Sequence, residues 1–449
     1  MKLLIYADYP FFDQHLAGGL QTTVRTLVAS FLKRGLQITV ICPECDPRRV
    51  MRARGLEVLP VLRELQRNHV YPPDFTENAK KIQKAVEGKD VIWSLAAFPV
   101  RVPQPIVLNL TSLCYLDDLE AVFGLNWDHL VVPSKYARNI VNAWLAECSW
   151  SGASPGRSCI PVPVPPIFHP RRVTTRLRKR LGLDNACRCL LFPHRPEAAK
   201  GHDLALRVLQ TVRRRDQRFH LLIPKQPLGK QVDIPAEARF IQQVMREARR
   251  LRVESHVTFH DWIDFSDLPK YYSLGDCCLF PSRLPETFGA ALVQSIACGT
   301  YVISSGAGAL RETVPPGHGH YLIPDLDPTA VGDAVLSGCS RDEVRKGQAF
   351  IAERYTLESV VGAYMECLGS TEKLTGSSGM RSECSDARLY PWFRLLPNGD
   401  LIDDFGYRKV PLRDAERAAI ERAGQDGGLL RPGVPRRIIA SLSRKRLLA

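Results

Sequence analysis

Pro281-Ser282-Arg283-Leu284-Pro285-Glu286-Thr287-Phe288-Gly289-Ala290-Ala291-Leu292-Val293-Gln294-Ser295-Ile296-Ala297-Cys298-Gly299 reads as a strand end, a turn and a buried helix closed by glycine. The preceding Cys277-Cys278-Leu279-Phe280 is a short apolar run of the kind a parallel sheet buries on both faces. Ala290 to Cys298 is almost wholly apolar and rich in helix formers, and Gly299 stands at the C-terminal cap position. Tyr301-Val302-Ile303-Ser304 supplies the next strand, so the segment is a βαβ unit. A helix that starts at the C-terminal edge of a strand presents unpaired N–H groups and the positive end of a dipole, which suits phosphate. Phe288, Gly289 and Ala290 form that start, with Glu286 just before it and Gln294 about one and a half turns inside. So placed, Glu286 and Gln294 can hold two parts of one extended ligand. The competing reading makes Glu286 a solvated loop residue and Gln294 an internal polar contact.

A second strand-to-loop passage has matching chemistry. Cys189-Leu190-Leu191-Phe192-Pro193-His194-Arg195-Pro196-Glu197-Ala198-Ala199-Lys200-Gly201-His202 is a strand, a basic turn and a helix start. Arg195, a planar fork, and Lys200, a point charge, can converge on a diphosphate. Two solvated cations on a loop are the plain alternative. Near the N-terminus, Lys2 to Ala7 is a strand ending at Asp8, and Gly18-Gly19-Leu20-Gln21 opens a helix from about Thr22 to Arg34. The order is not Gly-x-Gly-x-x-Gly, so a dinucleotide fingerprint is not supported.

The Pro-Ser…Glu286…Phe-Gly run resembles the donor-site signature of the retaining family-4 glycosyltransferases with the GT-B fold. The Phe192–Glu197 run with Lys200-Gly201 is similar to that of aminoglycoside-type, natural-product members. The resemblance implies that Glu286 meets the transferred sugar, that Arg195 and Lys200 hold the diphosphate, and that Gly18-Gly19 face the donor across a cleft. Where that family has a second glutamate for the ribose, this chain has Gln294. Glutamine loses the charge-assisted bond, about 1.5–3 kcal/mol falling to about 0.5–1.5 kcal/mol, so weaker donor binding or a different ribose contact is expected. Members often place a histidine after the strand corresponding to Ile106–Thr111; here Thr111-Ser112-Leu113-Cys114-Tyr115-Leu116-Asp117-Asp118 has none. Asp8, Thr111, Ser112 and Asp117 become the acceptor-side candidates, although Asp117-Asp118 also suits the start of the next helix. After the strand Val257–His260, Trp262 and Ile263 are candidates for base contact, with packing the alternative for Trp262.

The remaining chain reads as two α/β halves and a tail. Arg48 to Tyr71 is basic and reads as partly helical, Asp90–Trp93 is a strand, and Ser134 caps the helix after His129–Val132. A proline-rich linker runs from Ile160 to Pro170. Glu312 is placed on a later helix, and Leu357 to Leu368 is a helix that, by the resemblance, crosses back onto the first half. Expected domains are 1–155, on the acceptor side; 156–369, which binds the nucleotide sugar; and 370–449, an appendage. In that appendage Thr375–Gly379 is linker-like, Asn398-Gly399 signals a hairpin, and Leu412 to Ala423 is a helix. Arg436 to Leu448 mixes basic and apolar residues; it reads either as a surface-binding amphipathic helix or as an end packed on its own domain.

With 449 residues the chain is long enough for two large cores, and no run approaches a membrane span. Its N-terminus leads directly into a strand, so a cytoplasmic protein is expected. The 13 cysteines are odd in number and scattered through apolar runs, which suits reduced thiols; Cys42 and Cys45 have metal-ligand spacing but no second pair, so no metal site is expected. The net charge of +14 fits nucleic acid, an anionic membrane or an anionic substrate, but it comes without aromatic interleaving or a nucleic-acid motif, so a basic cytosolic enzyme is a better reading than a nucleic-acid binder. The expectation is a doubly wound α/β enzyme of two facing Rossmann-like domains. It would move a hexosyl group, with retention, from a nucleotide sugar, UDP-sugar favoured, to a hydroxyl of a small aminocyclitol or similar acceptor, with no cofactor. A lipid-linked or polysaccharide acceptor, with peripheral membrane contact through the basic chain end, and a non-catalytic sugar-nucleotide-binding protein are the alternatives.

Overall fold

The computed structural model describes residues 1–11, 19–44, 51–63, 72–113, 115–124, 126–147, 156–226, 234–315, 321–322, 327–374, 389–404, 408–423, 434–445 and 447–448. Gly18, Ile323 and the Thr375–Gly379 passage lie outside them.

The first sheet is built from Lys2–Tyr6 (β1), Gln37–Pro43 (β2), Met51–Ala53 (β3), Leu56–Leu62 (β4), Val91–Ser94 (β5), Ile106–Asn109 (β6), His129–Val132 (β7) and Gly156–Cys159 (β8), in the order β3-β4-β2-β1-β5-β6-β7-β8. All its pairings are parallel except β3 with β4. Alternation along β1 explains why both faces are buried: Leu3 and Ile5 join one apolar cluster, Leu4 the other. The second sheet comprises Arg188–Leu191 (β9), Phe219–Pro224 (β10), Val257–His260 (β11), Cys277–Phe280 (β12), Val302–Ser304 (β13) and Tyr321–Leu322 (β14), ordered β11-β10-β9-β12-β13-β14. Leu190 and Leu191 likewise divide between its two faces.

Two expectations are corrected. The stretch read as partly helical between Arg48 and Tyr71 contains β3 and β4; Leu56, Val58 and Leu59 extend the sheet beside β2, with Pro60 opposite Cys42. The first sheet also runs four residues beyond the expected boundary at 155, because β8 pairs with β7 from Gly156 to Cys159. Arg157 and Ser158 give that edge strand a polar composition that hides it in the sequence.

Leu357–Ser370 is the crossing helix, begun by Thr356, whose hydroxyl accepts from the Ser359 N–H at 3.1 Å. Val360, Val361, Tyr364 and Leu368 pack with Leu27, Phe31 and Trp93 of the first domain. Within this cluster the buried Tyr364 hydroxyl donates to Asn109 Oδ1 at 2.6 Å.

The tail forms its own module. Phe393–Leu395 (β15), Leu401–Asp403 (β16) and Arg408–Val410 (β17) make an antiparallel sheet, with Asn398-Gly399 in the first turn. Helices Asp414–Ala423 and Arg436–Arg444 cover it. Leu442 and Leu447 are buried in the module's core, with Ile438 and Ile439 packed against it, so the apolar side of the chain-end helix is turned onto its own domain while Arg437 and Arg444 face outward. Among the described residues no helix is long and apolar enough to cross a membrane.

Replacing Tyr364 by Phe strands the Asn109 side-chain oxygen in the core. Chemical denaturation is expected to show a loss of about 1–3 kcal/mol with the denaturant slope unchanged; equal stability would show that the bond joining the crossing helix to β6 contributes nothing.

Candidate functional site

Strand order reverses between β9 and β12, and in doubly wound sheets ligands bind beyond the C-terminal ends of the strands at such a point. The two loops leaving those strands are tied together. The Arg283 N–H donates to the Ala199 carbonyl at 2.8 Å, and the Arg283 guanidinium grips both oxygens of Asp203 at 2.8 and 2.7 Å. Lys200 Nζ then meets Glu286 Oε1 at 2.7 Å, with side chains only 11% and 21% exposed. Gly289 follows in a left-handed conformation, φ 86°, which glycine adopts without strain, and begins the helix Ala290–Ala297. Beneath Glu286 runs the turn 305–309: the Ala309 N–H donates to the Glu286 carbonyl at 2.7 Å, and Gly308 lies so close that a Cβ there would sit 2.4 Å from that oxygen.

Arg195 spans the cleft. Its Nε contacts Glu197 at 3.3 Å, and its Nη2 donates to the hydroxyl of Tyr115, in the first domain, at 2.8 Å. Burial pulls the Lys200 ammonium down, but the Glu286 charge and hydrogen bond raise it further, leaving it above the ordinary lysine value and charged at neutral pH. Behind the loop, burial holds His194 well below its usual range, helped by Lys200 and His202, and lowers His202 to about 4. Both rings are therefore neutral at pH 7. The positive charge at this corner belongs to Arg195 and Lys200, together with the helix N-terminus.

The first domain closes the other side. A Cβ on Gly19 would lie 3.9 Å from Ala290 Cβ, so the two helix starts face each other. Thr287 Oγ1 donates to the Thr111 carbonyl at 2.6 Å. Asp8 is exposed just after β1, and Ser112 is half-buried beside Thr111. Asp117 sits in the first turn of the helix Leu116–Phe123, and Asp118 caps that helix by accepting from the Tyr115 N–H at 3.1 Å.

Arg195, Lys200, Glu286, Gly289, Ala290, Gly19 and Thr111 thus come together. Phe288 contributes backbone alone, since its ring is buried against Tyr355. Trp262 is 37% exposed and open to a ligand, whereas Ile263 is 3% exposed and packed in the apolar core, so its assignment as a base contact is withdrawn. Gln294 Oε1 accepts from the buried Tyr272 hydroxyl at 3.5 Å, the outer limit of a hydrogen bond, which gives it the internal contact foreseen as the alternative.

Sequence reasoning missed Tyr115, Thr287 and Glu312 as cleft-spanning residues. Glu312 accepts from the Lys135 and Tyr136 N–H groups at 3.1 and 2.6 Å, capping the first domain's helix Lys135–Glu147 from the second domain. Thr287 adjoins Glu286 in the quoted stretch; for Tyr115 and Glu312 no local pattern announces a partner in another domain.

The Glycosyl transferases group 1 family matches residues 188–340, most of the second domain. The D-inositol 3-phosphate glycosyltransferase of Acidothermus cellulolyticus is 29% identical over 266 residues, 54% of this chain and 57% of that protein. That of Thermomonospora curvata is 30% identical over 212 residues, 45% of this chain and 47% of that protein. The chain spans about half the length of the curated relatives it matches. Among solved structures, sucrose-phosphate synthase from Thermosynechococcus elongatus superposes with a TM-score of 0.67 at 19% identity, covering 82% of this chain and 98% of that one. HepE of Anabaena in complex with UDP-glucose gives 0.63 at 16% identity, covering 82% and 100%. The fold is that of the two-domain GT-B glycosyltransferases.

Burial lowers both His202, at the end of the cationic loop, and His260, at the end of β11, to about 4, against about 6.5 in an unfolded chain. Below pH 6.5 the unfolded state binds protons that the folded state refuses, so stability falls with pH down to about 4. Urea unfolding at pH 7 and pH 5 is expected to differ by about 1–2 kcal/mol per such histidine, and His202→Phe should remove its share. A pH-independent midpoint over this range would contradict the buried neutral rings.

Proposed function

We propose that this protein is a retaining glycosyltransferase that transfers a hexosyl group from a nucleoside diphosphate sugar, UDP-sugar preferred, to a hydroxyl of a small cyclitol-like acceptor. The observation that carries the reading is the Lys200–Glu286 pair set against the Gly289 helix start, with Arg195 on the same loop and Gly19 opposite. A diphosphate leaving group gathers negative charge as the glycosidic bond breaks, and preorganised cations and amide N–H groups stabilise that charge without rearranging. The family match over residues 188–340, the UDP-glucose complex of a structural neighbour and the inositol phosphate in the names of two relatives support this choice of donor and acceptor. An aminocyclitol remains our preferred acceptor within that class.

In this reading the diphosphate takes Lys200 and Arg195, and Glu286, released from the ammonium, turns to the hydroxyls of the transferred sugar. The anomeric carbon loses its bond to the diphosphate oxygen and gains one to the acceptor oxygen on the same face, while the acceptor proton passes to the departing phosphate. The nucleotide sugar is a co-substrate and no cofactor is required. Trp262 lies beside the base, Gln294 near the ribose, and Asp8, Ser112 and Asp117 line the acceptor side.

Release of nucleoside diphosphate from UDP-hexoses in the presence of a cyclitol and aminocyclitol panel tests the activity, and no release with any acceptor or with water would end the proposal. Glu286→Gln keeps a hydrogen-bond partner for Lys200 but removes the charge, and is expected to lower turnover by about 100-fold or more with little change in melting temperature; wild-type turnover would remove Glu286 from the sugar site. Gln294→Glu restores a charge-assisted contact and should tighten donor binding by about fivefold, corresponding to about 1 kcal/mol. Calorimetry showing no gain would take Gln294 away from the ribose.

A further inference from the structure

The turn 305–309 that supports Glu286 is gripped from its other side by the C-terminal module. Arg394, on β15, donates through Nη1 to the Ser305 carbonyl at 3.0 Å and through Nη2 to Asp404 Oδ1 at 3.3 Å. The second oxygen of Asp404 meets Arg311 Nη1 at 3.4 Å and the Tyr136 hydroxyl at 3.4 Å, while the Arg311 guanidinium stands 4.9 Å over the Tyr136 ring. The Arg394 and Asp404 side chains are only 9% and 1% exposed. One tail module therefore touches the second domain at Ser305 and Arg311 and the first at Tyr136.

The same turn is rigidly joined to the catalytic loop. The Ser305 N–H donates to the Phe280 carbonyl at 3.0 Å, and its hydroxyl donates to the Ser282 carbonyl at 2.7 Å. Glu286 pairs with Gly308 as a parallel bridge, its N–H reaching Ala307 at 3.4 Å and its carbonyl accepting from Ala309 at 2.7 Å. From the Arg394 guanidinium to the Glu286 backbone there is thus an unbroken run of hydrogen bonds through a single five-residue turn.

We propose that the C-terminal module completes the active centre, with Arg394 acting as a positioning residue that fixes the turn 305–309 and, through it, Glu286. The inference rests on the glycosyltransferase reading of that site. Docking alone does not require this arginine. Burying ions is costly and apolar replacements often hold as well, and here the Arg394 Nε finds no partner among the described residues. The apolar attachment lies elsewhere: Trp392 packs against the first domain's core, and Ala143 of that domain enters the module's own core. A charged cluster where the module meets this turn sets geometry, and a displacement of Glu286 by about 1 Å is enough to cost about 100-fold in rate.

The test uses the full chain with Arg394→Met and Arg394→Lys, reading turnover, donor KM, UDP affinity by calorimetry and melting temperature. Arg394→Met is expected to lower kcat by about 10- to 100-fold while UDP affinity, set by Arg195, Lys200 and the Gly289 helix start, is unchanged. Arg394→Lys, which keeps a cation within reach of Ser305 and Asp404, should recover part of the loss. Should Arg394→Met not fold, Arg394→Lys alone decides: reduced kcat at unchanged UDP affinity supports positioning. Wild-type kcat in folded Arg394→Met, or in Arg394→Lys where that variant alone decides, or a loss of kcat matched by an equal loss of UDP affinity, overturns it. Turnover that survives Glu286→Gln would instead refute the reading of the site, so the two failures are distinct.

Discussion

Lys200 and Glu286, 2.7 Å apart at the head of the second sheet, bind the loop after β9 to the loop after β12, and the cleft is arranged around that contact. A half-buried ion pair of this kind adds little net stability, because desolvation of both ions offsets most of their attraction. Its worth lies in geometry. With Arg283 closing on Asp203 and on the Ala199 carbonyl, the pair sets two loops in one register and brings an ammonium, a carboxylate and a helix N-terminus to the same corner. In the proposed reaction each ion of the pair serves as a placeholder: the carboxylate for the diphosphate at Lys200, and the ammonium for the sugar hydroxyls at Glu286.

The first domain is held to this corner by contacts of several kinds. Thr287 reaches the Thr111 carbonyl, Arg195 reaches the Tyr115 hydroxyl, and Glu312 caps the helix Lys135–Glu147. The crossing helix buries Val360, Val361 and Tyr364 in the first domain's core. The polar links lie in the cleft, where a ligand's own hydroxyls and phosphates can exchange with them; the apolar one lies away from it and persists. That division suits two domains which must separate slightly while remaining aligned. The C-terminal module adds a third attachment, through Asp404 and its arginines, at the back of the turn 305–309 that supports Glu286.

The features legible in the sequence are local ones. Apolar runs of strand length separated by helical periodicity marked the alternating β and α elements. Gly289 marked the start of a helix, Ser134 its cap on another, and Asn398-Gly399 a hairpin, because each of these residue types suits a backbone conformation decided within a few neighbours. Strands with weak local signals were lost: β8 has polar Arg157 and Ser158, and β4 contains a proline. Ile263 was misplaced for a related reason, since adjacency to an exposed Trp262 says nothing about which way a side chain turns at the end of a strand.

The sequence by itself determined the two α/β halves, the cationic loop with Arg195 and Lys200, the helix start at Gly289, and Glu286 beside it, because strand, turn and helix chemistry are written in contiguous residues. Only the tertiary structure decided that Lys200 meets Glu286, that Tyr115 and Glu312 bridge the cleft, and that Arg394 stands behind the turn that supports Glu286. Those partners are separated by 86, 80, 176 and 89 positions respectively, and a side chain carries no local mark of the distant group that folding will bring to it.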